Sequence, residues 1–267
     1  MILIALARGS YFIAAMLLFG GAVFGALLKA RLGIIAPLPR RWLAVLALMA
    51  GCAWFVLAAA QMAGALTQSA LLEAATATLF GQIFLVRLAA LLGLFFACKH
   101  DKTVALLAAI ALVLPAVTSH AAASSPAGFA AIGMTLDAVH VLGGGFWIGG
   151  LAVLATLFAR KEAKILQALS LFSEWALVAV LLLVMTGLVN AASILLGGST
   201  DAAPYLTVLG VKLALVLVML GLAAINRFKL MARAQSATIA RNAVLELGLG
   251  IIVLLLAGAL GQLPPTL

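Results

Sequence analysis

The stretch TLDAVHVLGGGFWIGGL, residues 135–151, decides how this chain is read. It is apolar enough to cross a bilayer, yet it carries Asp137 and His140 near its start. Three residues apart, these two share one face of a helix. Gly143, Gly144, Gly145, Gly149 and Gly150 follow. Gly145 and Gly149 form a G-x-x-x-G pair, which lets a neighbouring helix backbone approach closely. Ionisable groups inside an apolar span are expensive in lipid, so such a site is read first as functional.

The rest of the chain has the same character. Of its 267 residues, 67% are hydrophobic and only 9% charged, against about 25% charged in soluble domains. The expected fold is all-α: a polytopic membrane helix bundle with eight transmembrane helices. The spans are expected near 9–29, 42–64, 79–98, 103–120, 134–158, 170–196, 205–226 and 243–262, each about the length a bilayer core requires. The first run continues for a full span beyond Arg8, so it reads as a membrane helix and not as a cleavable signal. Pro115 is expected to kink the fourth span, and the segment before the third reads as a loop whose single charge is Glu73. Residues 1–267 are taken as one integral membrane domain, with four-helix halves at 1–121 and 134–267. Shifting the first half by 124 residues lays Gly20, Gly21 and Gly25 on Gly144, Gly145 and Gly149, and Met16 on His140. That alignment is the basis for expecting a parallel 4+4 internal repeat.

The net charge of +9 is topological. Lys29, Arg31, Arg40 and Arg41, then Lys99 and Lys102, then Arg160, Lys161 and Lys164, then Arg227, Lys229, Arg233 and Arg241 occupy alternate connections. Cytoplasmic loops collect such residues, so both termini are expected on the periplasmic side. No basic run with interleaved aromatics appears, and nucleic-acid binding is excluded. Cys52 and Cys98 form no C-x-x-C and read as small buried apolar residues. No nucleophile elbow, phosphate loop or H-E-x-x-H is present, so an enzyme is not expected.

His120 and His140 are the leading pair for chemistry, because neutral imidazole is a common ligand for copper and other transition metals. The competing reading makes His120 an interfacial cap and His140 a hydrogen-bond partner between helices. Asp137 has three roles open to it: metal ligand, orienter of His140, or ion-pair partner of Lys212 or Arg87. Those two cations oppose a bound metal ion. They are expected to pair with Asp137 or Glu73, to snorkel outward, or to contact an anion. Thioethers suit Cu(I), and Met134 and Met62 are singled out for their place near the outer surface, although most methionines in a bundle serve packing. Glu246 and Glu174 begin helices, where carboxylates favour the dipole. Arg241 or Arg227 is the expected partner, with an exit ligand on the cytoplasmic side as the sharper alternative.

Ser119-His120-Ala121, Asp137-x-x-His140 and Phe146-Trp147-Ile148-Gly149-Gly150-Leu151 together resemble the central signature of the CopD family of bacterial copper-resistance membrane proteins. Thr186-Gly187-Leu188-Val189-Asn190, Leu209-Gly210-Val211-Lys212-Leu213-Ala214, Asn226-Arg227 and the closing Leu263-Pro264-Pro265 extend the likeness through the second half. The resemblance implies an inner-membrane protein that handles copper, as a permease or importer, beside a small periplasmic carrier of the CopC type. It points to His120 and His140 as the metal candidates, with Asp137 and Trp147 part of the signature and copper as the bound ion; with Met134 added for its place near the outer surface, the expected metal set is His120, His140, Asp137 and Met134, surrounded by membrane lipid. A haem-binding redox protein, or a factor delivering copper to a respiratory oxidase, is the alternative for the same histidines. A third is a structural partner whose polar interior only packs helices.

Overall fold

The computed structural model describes residues 1–118, 130–196, 203–233 and 235–263. Among these residues there are nine α-helices and no strand: α1 (Ile2–Leu32), α2 (Arg40–Ala63), α3 (Gln68–Ala77), α4 (Leu79–Ala97), α5 (Asp101–Val113), α6 (Ala130–Ala159), α7 (Ile165–Leu196), α8 (Ala203–Ile225) and α9 (Ser236–Leu260). Eight segments are long and apolar enough to cross a membrane. The short α3 is the helix left out.

The boundaries differ from the sequence expectation in three places, each for a local reason. Helix α1 starts at Ile2 and not near residue 9, which puts Arg8 within the helix. The stretch expected as a loop around Glu73 holds α3, because two threonines cap successive helices. Thr67 accepts from the Ala70 amide at 3.2 Å and Thr78 from the Gly81 amide at 3.0 Å, each satisfying a donor that a helix start leaves unpaired. Pro115 ends the α-helix and does not merely kink it. The chain turns 3₁₀ over Leu114–Thr118, because proline has no N–H to give and disfavours helix at the residue before it. At the far end of α8 the basic stretch stays wound, as a π turn over Asn226–Leu230 and a 3₁₀ turn over Met231–Arg233.

Helix α1 is the hub. It packs on α2 and α5 on one side and on α6 and α9 on the other. Tyr11, Ala14, Leu18 and Ala22 join a core with α2, α4 and α5. Ala15, Met16, Phe24 and Leu28 join a second core with α6, α7 and α9. A helix that is apolar all round suits such a central place.

The glycines set how closely the hub is approached. A Cβ on Gly20 would fall 2.0 Å from the Gly145 carbonyl oxygen, and one on Gly149 would fall 2.5 Å from the Gly21 nitrogen. Backbone therefore meets backbone where α1 crosses α6, and the G-x-x-x-G expectation for Gly145 and Gly149 is met. A second close approach joins α1 to α9, where a Cβ on Gly258 would lie 2.4 Å from the Ala5 carbonyl oxygen.

The connections rich in Lys and Arg lie at one end of the bundle, called here the basic end. There Arg40 forms an ion pair with Asp101 and donates to the Cys98 carbonyl at 3.3 Å, fastening α2 to the start of α5. Lys164 donates to the Leu32 carbonyl at 2.8 Å. Both cysteines are free thiols, and Cys98 donates to the Leu94 carbonyl of its own helix.

Candidate functional site

Helices α6 and α7 run side by side and bring two pairs of polar side chains together. Asn190 donates from Nδ2 to Asp137 Oδ1 at 2.9 Å. One turn deeper, His140 Nδ1 and Thr186 Oγ1 are 2.9 Å apart. The pairing follows from spacing. Asp137 and His140 are three apart on α6, Thr186 and Asn190 are four apart on α7, and residues so spaced share a helix face. Two such faces in antiparallel contact form a ladder.

The direction of the His140 bond can be worked out. Thr186 gives its one hydroxyl hydrogen to the Leu182 carbonyl at 2.7 Å, the back-bond common for threonine in a helix. Its oxygen is then an acceptor, so His140 donates from Nδ1. The neutral ring carries its lone pair on the other nitrogen, Nε2. An imidazole held in one tautomer by a fixed acceptor on Nδ1 is the arrangement metal-binding histidines use, and the Leu183 backbone is a further hydrogen-bond partner of this ring. Gly187 makes room for the ring: a Cβ there would stand 3.4 Å from His140 Cε1.

Other charges surround this ladder. Lys212 of α8 acts electrostatically on both His140 and Asp137. Arg8 of α1 and Tyr205 of α8 act on Asp137 in turn. Lys212 thus lies within electrostatic range of Asp137, one of the partners expected for it. Arg87 is 1% exposed and lies among aromatic rings of α1, α2 and α4, while Glu73 is exposed on α3.

Met134 stands one turn before Asp137 on α6 and is half-buried. Met16 of α1 comes in below the histidine, its Cε 3.8 Å from where a Gly144 Cβ would be. Met62 is 58% exposed and Met185 63% exposed, so both face outward from the bundle. Among the described residues no three His, Cys, Asp or Glu side chains converge. His120, expected as the second imidazole, lies outside the described residues.

A second polar cluster lies two turns further along α6, about 10 Å by helix rise. Glu246 of α9 is 2% exposed and accepts from Asn226 Nδ2 at 2.8 Å. Asn242 Nδ2 donates to Asn226 Oδ1 at 2.7 Å, and the Trp147 indole of α6 lies beside the carboxylate. The expected arginine partners are not used. Arg227 spends its Nη1 on the carbonyl and hydroxyl oxygens of Ser173, both at 2.6 Å. Asn226 and Arg227 open the π turn Asn226–Leu230, a wide turn of the kind frequent at functional sites. The cluster edges a cavity of about 250 Å³. Glu174, the other carboxylate singled out, is exposed.

The sequence comparisons agree with this architecture. A family model described as "Copper resistance protein D" matches residues 166–260, and one described as "Copper resistance protein D-like, N-terminal domain" matches residues 1–129. Copper resistance protein D of Pseudomonas syringae pv. tomato is 32% identical over 296 residues, covering 94% of this chain and 93% of that protein. The chain belongs to the copper resistance protein D family. Copper transport protein CutJ of Bacillus subtilis (strain 168) is 33% identical over 159 residues, which is 57% of this chain and 29% of that longer protein. No solved structure matches. Membership of this family, with eight apolar helices, makes the chain a multi-pass protein of the bacterial inner membrane. The two family models leave 130–165 between them, and this is where Asp137, His140 and Trp147 stand.

Proposed function

We propose that this protein is a copper permease that takes copper from the periplasmic face and passes it towards the cytoplasm. In this reading the basic end is cytoplasmic, following the bias of Lys and Arg to that side, and both termini are periplasmic. The ladder between α6 and α7 is then in the periplasmic half. The observation that carries the proposal is the His140–Thr186 bond, which puts the lone pair of a neutral imidazole on Nε2, a donor suited to a soft or borderline cation. His120, which precedes α6 in sequence, supplies the second imidazole. Met134 offers a thioether close to the surface. Asp137 offsets the charge of Lys212, which would otherwise repel an incoming cation.

Glu246 of α9, beside Trp147 two turns along α6, is the next oxygen ligand, and its cavity gives the cation a station on the way to the basic end. The halves 1–121 and 134–267 act as two related units, with the chemistry concentrated in the second. A CopC-like periplasmic carrier is the fitting donor. The names of the two relatives, one for copper resistance and one for copper transport, support copper as the cargo.

The test is copper bound per purified protein, by metal analysis and by competition with a chromogenic chelator. Wild-type protein is compared with His120→Ala plus His140→Ala. Loss of bound copper in the double variant is expected. Unchanged stoichiometry and affinity would remove the site.

A further inference from the structure

The most unusual charges in the bundle are not at the ladder. Arg87 of α4 has 1% of its surface exposed. Its guanidinium carbon sits 5.0 Å from the Tyr11 ring centre, 4.4 Å from Trp54 and 5.6 Å from Phe84. Arg8 of α1 reaches the same indole, 5.3 Å from its centre. Two cations thus share one tryptophan. Tyr11 gives its hydroxyl hydrogen to the Ala111 carbonyl at 2.5 Å. The ionisable groups that act on Arg87 are Tyr11, Cys52 and Arg8, and a phenol and a thiol are ordinarily neutral near pH 7. No carboxylate of the described residues forms an ion pair with it.

Aromatic faces attract a guanidinium, but they leave its N–H groups unpaired. Nε and Nη2 of Arg87 are both buried without a hydrogen-bond partner, as is Nε of Arg8. Nε and Nη2 form one edge of the planar group and project two parallel N–H bonds. That edge matches the two oxygens of a carboxylate or phosphate, the bidentate geometry at which arginine excels. A buried cation with its fork open is costly unless something fills the fork.

An open groove of about 680 Å³ lies between the first turn of α1 and the last turns of α2, lined by residues that include Ile4, Leu57 and Gln61. Ile4 and Arg8 are one turn apart on α1, and Trp54, Leu57 and Gln61 form one stripe of α2. Arg8 and Trp54 are thus the next residues along the two helix stripes below the groove.

We propose that the open edge of Arg87, with Arg8 alongside, is a binding site for a small oxyanion in the half of the bundle opposite the basic end. The anion neutralises part of the charge of this half of the bundle and pins α1, α2 and α4 together. Its source is either a soluble carboxylate or phosphate, or the phosphate of a lipid. Its central residue, Arg87 of α4, plays no part in the copper reading, while Arg8 also acts electrostatically on Asp137.

Trp54 provides the readout. Trp42, Trp147 and Trp175 are replaced by phenylalanine, leaving Trp54 as the single fluorophore. Delipidated protein in neutral detergent is titrated with sodium formate, with sodium phosphate, and with sodium chloride as the ionic-strength control. A parallel arm compares vesicles of phosphatidylglycerol with vesicles of phosphatidylcholine. A saturable change with formate or phosphate identifies a soluble oxyanion. A change seen only with phosphatidylglycerol identifies the lipid. Either response should weaken about tenfold or more in Arg87→Gln, the scale of a lost charge-assisted bond. Arg87→Lys, which keeps the charge and loses the fork, should fall between. Should Arg87→Gln fail to elute as a monodisperse species, Arg87→Lys and Arg8→Gln take its place. No saturable response in any arm, or a response that the Arg87 and Arg8 variants leave unchanged, would overturn the site.

Discussion

Replacing Thr186 by valine tests the central geometry with almost no change of shape. Thr186 is 4% exposed, and valine differs by a methyl in place of the hydroxyl. The substitution removes the side-chain acceptor of the His140 Nδ1–H, now 2.9 Å away, and leaves the ring only its Leu183 backbone partner. The Leu182 carbonyl that Thr186 back-bonds at 2.7 Å keeps its ordinary helix partner, so only the imidazole loses. Leaving a buried donor unpaired costs about 1–3 kcal/mol. The ring has two ways to recover: rotate, or move its proton to Nε2. Either would displace the lone pair that the proposed function assigns to the cation. Loss of such an orienting partner typically weakens metal binding about 10- to 100-fold, or about 1.4–2.8 kcal/mol. The assay is a competition titration of Cu(I) under reductant against a calibrated chelator, on protein shown to be folded by its thermal unfolding. Thr186→Ser restores the oxygen and should restore affinity. Wild-type copper affinity in folded Thr186→Val would refute the assignment of Nε2 as the ligand atom.

Four further outcomes follow from the packing and the charges. Gly149→Ala puts a methyl 2.5 Å from the Gly21 nitrogen and 2.6 Å from Gly20 Cα, so α1 and α6 must part. A lowered melting temperature in detergent is expected, worth about 1–3 kcal/mol, while Gly210→Ala, with nothing within 4 Å, should leave it unchanged or raised. Asn226→Leu removes a donor to Glu246 and the acceptor for Asn242; unfolding in a denaturing detergent should show a loss of about 1–3 kcal/mol. Arg40→Met breaks the ion pair to Asp101, whose partners are 13% and 20% exposed, and should cost no more than about 1 kcal/mol by the same measurement. Finally, a single cysteine at Lys161 in a Cys52→Ala, Cys98→Ala background should resist a membrane-impermeant maleimide in intact cells and react in inverted vesicles; the opposite pattern would reverse the proposed orientation.

Much of the fold was legible because its signals are local. Twenty apolar residues in a row need a bilayer whatever lies beside them, and the spans follow from that requirement alone. Gly145 and Gly149 announced a close helix contact for an equally local reason, since a missing Cβ is visible in the sequence. The misses are also physical. Thr67 and Thr78 carried the caps of α3 and α4, yet without a repeating apolar pattern behind them the segment read as loop. Arg8 read as a flank of the first span, because a charge at a span's edge cannot by sequence alone be distinguished from one drawn inside it by an aromatic partner.

By itself, then, the sequence determined an all-helical membrane bundle, its spans, and the short set of polar residues worth asking about. Only the tertiary structure decided how those residues are shared out. Asp137 and His140 go to Asn190 and Thr186 across a helix pair, Glu246 to Asn226 and not to an arginine, and Arg87 to three aromatic rings and not to Glu73. The reason is that a buried polar group takes whichever partner the helix contacts bring within about 3 Å. Those contacts are set by backbone approach at distant glycines, such as Gly20 against Gly145, which no spacing along a single helix encodes.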